Sequence, residues 1–436
     1  MTRRLLPLVW VTALLLPLAA GAADPCAGDV ARALVLGSGG SRGAFEVGAV
    51  YHVVVQRGCD FAEIAGTSIG ALNAALLAQA ARSDDRARSL ANLQAAAENV
   101  VTQWESIRDS RDVMRPRTLG KVRVALFGLD SLMDFEPLHD FVRSRVALDA
   151  LRTGRALRVG TMTLDDGHYR EIAINANGVV DSATAHGFIF ASAVVPVFGR
   201  TPLMTPPGAD TPMQVGDGGF RHAVPVTSYF QHCTSQASST APECIPLTGA
   251  DTPPHSRVEQ LFVVVTSPYG PNTERKPRDA ASGPLDDGRK VLAALGNVLV
   301  DRLHRDDLDD VLLFNDLLDW QSRTPGSGAG SPVFPLGSFN RGADGGAAKP
   351  YEITVISPLR RNSNPLSIFD VDAAAQRQQM YCGCIAADEV MQKRFGLASL
   401  GASCATRFPA VPATRRHAET AALTPATCRD DRVENR

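Results

Sequence analysis

The pattern that most restricts the fold of this chain is a strand–glycine turn–helix unit that occurs twice in close succession. In the first copy, residues 32–36 form a short β-rich run that ends in a glycine-rich loop, and residues 44–56 have helical length and apolar spacing. In the second copy, residues 61–65 lead into the turn 66–70 and the alanine-rich, strongly helical stretch 71–81. This alternation predicts a parallel sheet covered by helices, with functional loops at the carboxyl ends of the strands.

Later segments extend this prediction. Residues 83–156 are mostly polar with a helical pattern and indicate a helical excursion, while residues 157–163 and 169–174 indicate a hairpin or neighbouring strands. Residues 260–266 and 351–356 indicate further strands. We therefore predict an α/β fold, a three-layer α/β/α sandwich with a mainly parallel central sheet.

Composition divides the chain into one main domain and additions to it. The main domain is expected at 30–358, with surface insertions at about 201–255, rich in Pro, Thr and Ser, and at 322–348, rich in Gly and Ser. Neither insertion is expected to carry core residues. Residues 359–436 are expected to form a C-terminal, cysteine-containing appendage with a helix around 371–395.

The first residues have the composition of an export signal. Arg3 and Arg4 precede an apolar run at 5–20, and a small-residue cleavage site follows at 20–23. A membrane anchor is the alternative, although the run is short for a comfortable span. We expect residues 1–23 to be a signal peptide, so that the protein is periplasmic or secreted once it is removed.

Cysteine usage agrees with export. The eight cysteines, all beyond the predicted signal, are Cys26, Cys59, Cys233, Cys244, Cys382, Cys384, Cys404 and Cys428. An even number in an oxidising compartment predicts disulfides, and Cys26 with Cys59, and Cys233 with Cys244, would each close a short loop. The other four would hold the C-terminal tail. Their spacing is not that of metal ligands, so we expect no structural metal.

The charge balance excludes one class of partner. The formal net charge is -2 with 21% charged residues, so the chain lacks the basic excess that binds phosphate backbones. Nucleic acid is therefore not an expected partner.

Two loops have the composition of an acyl-transfer site. Gly66-x-Ser68-x-Gly70 has the form of a nucleophile elbow, in which a sharp turn exposes the serine at a helix N-terminus. A tight structural turn is the alternative, because the motif alone is weak. The earlier loop offers backbone N–H donors for an oxyanion. These candidate oxyanion residues are Gly39, Gly40, Ser41, Arg42 and Gly43.

A nucleotide-binding loop is the rival interpretation of that glycine-rich segment. A dinucleotide site needs an acidic residue about 20 positions on at a strand end, but Asp60 instead opens the second strand. The lysine and hydroxyl of a phosphate-binding loop are also absent from the motif. No nucleotide is expected.

A base for Ser68 has to come from a distant part of the sequence. Asp217-Gly218-Gly219 follows the β-like residues 213–216, and the paired glycines allow the backbone to turn the carboxylate towards a serine hydroxyl. For this tripeptide in isolation, an ordinary Asp-Gly turn is the simpler interpretation.

Together these motifs resemble the patatin-like phospholipase family. The loop through Ser41-Arg42-Gly43 is similar to its glycine–arginine oxyanion motif, residues 66–70 to its elbow, and Asp217-Gly218-Gly219 to its aspartate motif. Residues 191–198 look like its Ala-Ser-x-x-x-Pro segment, and 132–141 like its region around a Pro-Leu step. The resemblance, that of a bacterial exported member, covers roughly residues 32–228, with scattered support to about residue 358.

Two positions depart from the family pattern. Ser38 stands at the first glycine of the oxyanion motif, where a small side chain is tolerable but is expected to narrow the loop. Arg221-His222-Ala223 stands where asparagines are common, so the substrate wall is expected to differ.

The resemblance implies a lipid acyl hydrolase with a Ser–Asp dyad. Asp217 would deprotonate Ser68 directly and return the proton to the leaving alcohol, while amides near Gly39 and Gly40, in a loop held by Arg42, would stabilise the oxyanion. The substrates implied are phospholipids or other acyl esters, reached by transient contact with a membrane surface. Neither a metal nor another cofactor is implied.

Two alternatives to this prediction stay open. One is an α/β-hydrolase with a Ser-His-Asp triad, completed by His222, His255 or His304. Its serine normally follows several strands, whereas Ser68 comes after only two. The other is a catalytically silent lipid-binding or envelope protein that keeps the fold.

Overall fold

The structure is a computed structural model of the 436-residue chain. It describes residues 24–117, 131–174, 182–196, 198–226, 229, 258–269, 303–310, 312–313, 315–316, 351–358, 371–409 and 428. The predicted signal peptide at 1–23, the insertion at 322–348, and the residues Cys233, Cys244 and His255 lie outside this part of the chain.

The strands form one large sheet and one small antiparallel pair. In chain order they are β1 (Ala31–Leu36), β2 (Glu63–Thr67), β3 (Arg115–Pro116), β4 (Met133–Asp134), β5 (Ala156–Thr163), β6 (Tyr169–Ala173), β7 (Leu203–Met204), β8 (Met213–Asp217), β9 (Val258–Val264) and β10 (Glu352–Ile356). Within the described residues, the large sheet has the order β10-β9-β1-β2-β5-β8-β7, and β6 also pairs with β5.

The sheet is parallel over its centre and antiparallel at one side. Strands β10, β9, β1, β2 and β5 pair in parallel, in agreement with the repeated strand–helix units of the sequence. Strands β6, β7 and β8 add antiparallel pairs at the β5 side. The parallel strands therefore present their carboxyl ends at one edge of the sheet.

Helices cover this sheet. They are α1 (Gly43–Val50), which continues as a π-helical turn at Tyr51–Gln56, α2 (Ile69–Ala78), α3 (Arg86–Ser106), α4 (Glu136–Arg145), α5 (Leu148–Thr153), α6 (Ser182–Ser192), α7 (Ala373–Phe395) and α8 (Gly401–Arg407). The helical excursion predicted at 83–156 is confirmed, in the described part of that range, by α3, α4 and α5, and the short β3–β4 pair lies between α3 and α4.

The alternation of buried side chains along β1 shows that the sheet is covered on both faces. Leu34 and Leu36 are buried in one hydrophobic core with residues of α1, α2, α3, α6 and α7. Ala33 and Val35 belong to a second core, which includes Val224 and Leu308 of the helical residues 303–310. Successive strand residues point to opposite faces, so helices lie on both sides. The predicted three-layer α/β/α sandwich is confirmed.

The expectation that residues 201–255 carry no core is wrong for the part of this range that the structure describes. Strands β7 and β8 belong to it, and Val215 and Val224 are fully buried. The reason is that Pro, Thr and Ser dominate the composition of the whole range, which therefore does not reveal a two-residue strand such as β7 or the short β-like run that becomes β8.

The C-terminal segment is tied to the main domain by packing as well as by disulfides. Helix α7 crosses α1 with glycines at the contact, because a Cβ atom on Gly48 would overlap the backbone of Met380, and one on Gly383 would overlap that of Phe45. Buried residues of α7 therefore belong to the same core as β1 and α1.

Three disulfides join described cysteines. They are Cys26–Cys59, as predicted, and Cys382–Cys428 and Cys384–Cys404, which confirm that the last four cysteines pair among themselves. Disulfides of this kind persist in oxidising compartments such as the periplasm or the extracellular space. No helix in the described part of the chain is long and apolar enough to cross a membrane.

Candidate active site

Ser68 lies in a strained turn between β2 and α2. Its φ of 58° makes it the one non-glycine residue with positive φ in the described residues. Such a conformation costs about 1–3 kcal/mol and persists only where the surroundings enforce it. A Cβ atom on Gly66 would overlap the carbonyl of Gly70, and one on Gly70 would overlap that of Leu36. Both glycines of the predicted elbow are therefore sterically required.

The strand register brings Asp217 to this serine from far along the chain. Thr67 is level with Gly160 on β5, and the next β5 residue, Thr161, is level with Asp217 on β8. Ser68, which directly follows β2, and Asp217, the last residue of β8, therefore lie at the same level of the sheet, on either side of β5. The Ser68 hydroxyl donates to Asp217 Oδ2 over 2.6 Å, and the two residues are only 5% and 4% exposed.

Burial shapes the acidity of Asp217. Its other oxygen, Oδ1, accepts a hydrogen bond of 2.8 Å from the amide of Gly219. Removal from water raises the pKa of Asp217 to about 6, although the hydrogen bonds from Ser68 and Gly219 act in the opposite direction. The group is thus mostly ionised at neutral pH and still basic enough to accept a proton.

Ser192 is a site residue that the sequence did not identify by role. Its hydroxyl accepts a hydrogen bond of 2.8 Å from the amide of Ser68 and donates one of 2.6 Å to the carbonyl of Gly160. It lies at the end of α6, in the segment 191–198 that resembled a family motif. Ser192 holds the backbone of the elbow, and the motif itself was the signal that could have identified it.

The glycine-rich loop after β1 lies beside this elbow. The amides of Gly37 and Ser38 donate to the carbonyls of Val264 and Ala223, at 3.0 and 2.8 Å. The next two amides, of Gly39 and Gly40, donate to no backbone carbonyl in the part of the chain that the structure describes. Two neighbouring amides without a backbone acceptor among the described residues are the arrangement that an oxyanion requires.

The rest of the predicted oxyanion loop forms one tight turn. The residues Gly40–Arg42 form a 3-10 turn, with Gly40 at a φ of 58°. The amide of Arg42 donates to the carbonyl of Gly39 over 3.2 Å, and the Arg42 residue is 3% exposed. Ser41 is buried in the same turn. A side chain on Gly43 would overlap Ile69, the residue that follows Ser68.

A buried polar network ties the end of this loop to the helices. Asn73 on α2 donates to the carbonyl of Gly43 at 3.1 Å and to Glu46 at 2.9 Å, and it accepts from the indole of Trp104 at 2.8 Å. Burial raises the pKa of Glu46 well above its usual value. The loop and the elbow are therefore fixed to a common helical base.

Ser38, which departs from the family motif, is accommodated by Gly219. A Cβ atom on Gly219 would lie 2.8 Å from the Cβ of Ser38, too close for two side chains. The second glycine of the aspartate motif therefore provides the space that the side chain at position 38 needs. Gly218 is equally constrained, because its Cβ would lie 2.6 Å from the carbonyl oxygen of Gly160.

The two described histidines considered for a triad have other partners. His222 contacts Asp307, with 2.9 Å between Nδ1 and Oδ1, and its ring packs edge-on against Tyr169 at 4.7 Å. His304 contacts the carbonyl oxygen of Ser38 through Nε2 at 3.0 Å. Neither of these contacts is to Ser68, whose hydroxyl is hydrogen-bonded to Asp217.

Potential metal ligands converge elsewhere. Across the described ranges, the one group of three such side chains within ligand distance of each other is His52, Cys384 and Cys404. The two cysteines form a disulfide, so they offer no thiolate to a metal.

Comparison with known proteins finds a match to one family model. Residues 34–229, a little under half of the chain, match the family model described as patatin-like phospholipase. This range contains Ser68, Asp217 and the glycine-rich loop, and it agrees with the range inferred from the motifs. Among curated proteins, no sequence match is found.

Two solved structures are distantly similar. VipD from Legionella pneumophila is 11% identical, with 84% of this chain and 68% of that chain covered and a TM-score of 0.33. A chain from the complex of SpcU with ExoU, of the type III secretion system of Pseudomonas aeruginosa, is 13% identical, with 64% and 52% covered and a TM-score of 0.23. This chain thus spans about half of the second protein. Likeness at this level carries no functional argument.

The raised pKa of Asp217 predicts how stability depends on pH. Between 3.8, the ordinary value, and about 6, the folded state binds more protons at this carboxyl than the unfolded state does. The free energy of unfolding therefore falls as pH rises through this window, and the contribution of the neutral form is lost above about 6. Asp217→Asn cannot ionise, so its free energy of unfolding is not subject to this loss. Relative to that of wild type, we expect it to rise by roughly 2–3 kcal/mol between pH 4 and pH 7.

Urea unfolding of both proteins at the two pH values measures this difference. Asp149→Asn, at a 95% exposed carboxylate of α5, is the matched control for the loss of a charge. A difference between wild type and Asp217→Asn that does not change with pH would contradict the raised pKa.

Proposed function

We propose that this chain, whose residues 34–229 match the patatin-like phospholipase family model, is a serine-dependent lipid acyl hydrolase. It cleaves carboxylic ester bonds of phospholipids or related acyl esters, with Ser68 as nucleophile and Asp217 as its base. The observation that carries the proposal is the buried hydrogen bond of 2.6 Å from the Ser68 hydroxyl to Asp217 Oδ2.

The first half of the reaction forms an acyl-enzyme. Asp217 takes the proton of the Ser68 hydroxyl as Oγ attacks the ester carbonyl carbon, and the carbonyl oxygen becomes an oxyanion that accepts from the amides of Gly39 and Gly40. When the intermediate collapses, the bond to the leaving alcohol breaks and Asp217 gives that alcohol the proton. Ser68 is then esterified.

The second half releases the acid. Asp217 takes a proton from water as the water oxygen attacks the acyl carbon, and the new intermediate collapses by breaking the bond to Ser68 Oγ. The proton on Asp217 returns to Oγ, and the fatty acid leaves. No third side chain is required, because a carboxylate whose pKa lies at about 6 is basic enough to act alone near neutral pH.

We expect single substitutions at the proposed dyad to remove hydrolysis of a short-chain ester. Ser68→Ala should abolish covalent labelling by a fluorophosphonate probe, and Asp217→Asn should lower kcat by roughly 1,000-fold or more. For wild type, kcat/KM should rise with pH and level off above about 6, where Asp217 becomes ionised.

His222→Ala is the control for the triad alternative, and we expect it to keep most of the activity. Loss of activity in His222→Ala together with its retention in Asp217→Asn would establish a histidine base instead. Wild-type protein that resists the probe would favour the silent lipid-binding alternative, and labelling that survives Ser68→Ala would place the nucleophile elsewhere.

We propose that the substrate is met at a lipid surface, which a row of solvent-facing residues would contact. Gln214 of β8 pairs with Leu203 of β7, and its carbonyl accepts from the amide of Leu164 at 2.8 Å. The two leucines are 67% and 37% exposed. Gln214 lies three positions before Asp217 along β8, so this row lies about 10 Å from the proposed dyad.

Leu203→Ser is expected to slow hydrolysis of phospholipid vesicles several-fold, because it removes apolar area from the contact, while hydrolysis of a soluble short-chain ester stays unchanged. Leu313→Ser is the matched control. Leu313 is 61% exposed, and nearby Asn315 bonds Tyr351 at the start of β10, far from the carboxyl edge. Equal losses on vesicles and on the soluble ester would refute the proposed lipid contact.

We further propose that the chain is exported by a signal peptide at residues 1–23 and acts in the periplasm or outside the cell. The three disulfides support an oxidising compartment. The N-terminal sequence of protein recovered from the periplasm or the medium is expected to begin after residue 23. Recovery of the whole protein from the cytoplasm with its first residues intact would exclude export.

A further inference from the structure

The carbonyl of Ser38 accepts hydrogen bonds from two buried side chains that come from other parts of the fold. Thr266 donates from Oγ1 over 2.6 Å, and His304 contacts the same oxygen through Nε2 at 3.0 Å. Thr266 follows β9 and is 3% exposed, while His304 lies in the helical residues 303–310 and is 1% exposed. Because a carbonyl oxygen only accepts, this contact requires a hydrogen on Nε2 of the histidine.

The same peptide unit carries the amide that we assign to the oxyanion. The carbonyl of Ser38 and the N–H of Gly39 belong to one planar peptide, and the described residues contain no cis bond. In a trans peptide the C=O and N–H vectors point in opposite directions. Two hydrogen bonds that fix the direction of the Ser38 oxygen therefore also fix the direction of the Gly39 hydrogen.

The rest of the loop leaves little freedom around this peptide. The amide of Ser38 is held by the carbonyl of Ala223 at 2.8 Å, so residue 38 is anchored on both sides. A Cβ atom on Gly39 would overlap the side chain of Thr266, which shows how closely Thr266 packs on the loop. Any residue larger than glycine at position 39 would displace the threonine.

We propose that Thr266 and His304 are positioning residues that aim the Gly39 amide at the oxyanion. The inference rests on the proposed function, since it gives these two side chains a role in that reaction. Donors stabilise a developing charge well only when they are already oriented, because no energy is then spent on turning them during the reaction. Loss of either hydrogen bond would let the Ser38–Gly39 peptide rotate, which weakens transition-state stabilisation without altering ground-state binding.

Two matched pairs of variants test this proposal. Thr266→Val keeps the shape of the side chain and removes its donor, whereas Thr266→Ser keeps the hydroxyl. His304→Leu removes the ring donor, whereas His304→Gln offers an amide N–H in a similar place. We expect Thr266→Val and His304→Leu to lower kcat on a soluble short-chain ester roughly 10- to 100-fold, with KM nearly unchanged. The conservative partners should stay within a few-fold of wild type.

A transition-state analogue separates positioning from mere support of the fold. A trifluoromethyl ketone adds to Ser68 and creates an oxyanion, so its inhibition constant should rise by the same factor as kcat/KM falls across the four variants. Unfolding midpoints identify any variant that fails to fold. If one pair contains such a variant, the proposal is tested on the other pair.

Equal kcat values within both matched pairs, or losses confined to KM or to the unfolding midpoint, would overturn the positioning role of Thr266 and His304. These outcomes are distinct from failure of the proposed function, in which the wild type itself resists the fluorophosphonate probe or keeps its labelling after Ser68→Ala.

Discussion

The buried hydrogen bond between Ser68 and Asp217 is the constraint on which the rest of the site depends. A carboxylate removed from water is costly unless hydrogen bonds replace the lost hydration, and Asp217 has two, from Ser68 and from Gly219. Meeting this need requires a serine held in a strained turn and an aspartate that arrives level with it. Both requirements are met by the backbone, through the positive φ of Ser68 and the register of β8.

The antiparallel side of the sheet follows from the same requirement. In the parallel centre, β1 and β2 reach the edge that carries the site at their carboxyl ends and then lead into α1 and α2. Strand β8 runs the other way and ends at Asp217, level with Thr161 and one rung from Ser68. Gly218 and Gly219 then turn the chain directly after Asp217. Both positions require glycine, because a Cβ atom would overlap the carbonyl of Gly160 at the first and the side chain of Ser38 at the second.

The local elements of this fold could be predicted from the sequence, but most of its long-range contacts could not. The repeated strand–turn–helix unit predicted β1, β2 and the sandwich, because each strand is a short apolar run bounded by glycine. The hydrogen bond from Ser68 to Ser192 joins residues 124 positions apart, and that from Thr266 to Ser38 joins residues 228 apart. Neither has a local pattern. The prediction that Ser68 pairs with Asp217 rests more on the family motifs than on the residues themselves, since an Asp-Gly turn in isolation carries little such information.

The Ser38 position shows why a motif departure has to be judged in three dimensions. From the sequence, a side chain in place of glycine was expected to narrow the oxyanion loop. In the fold, its Cβ occupies space left by Gly219, its amide is held by Ala223, and its carbonyl is held by Thr266 and His304. These partners come from the segment after β8, the end of β9 and the second helical layer. Position 38, where the family motif has glycine, is therefore the point at which three separate parts of the chain contact the loop. The backbone of Ser38, rather than its side chain, determines the direction of the Gly39 amide.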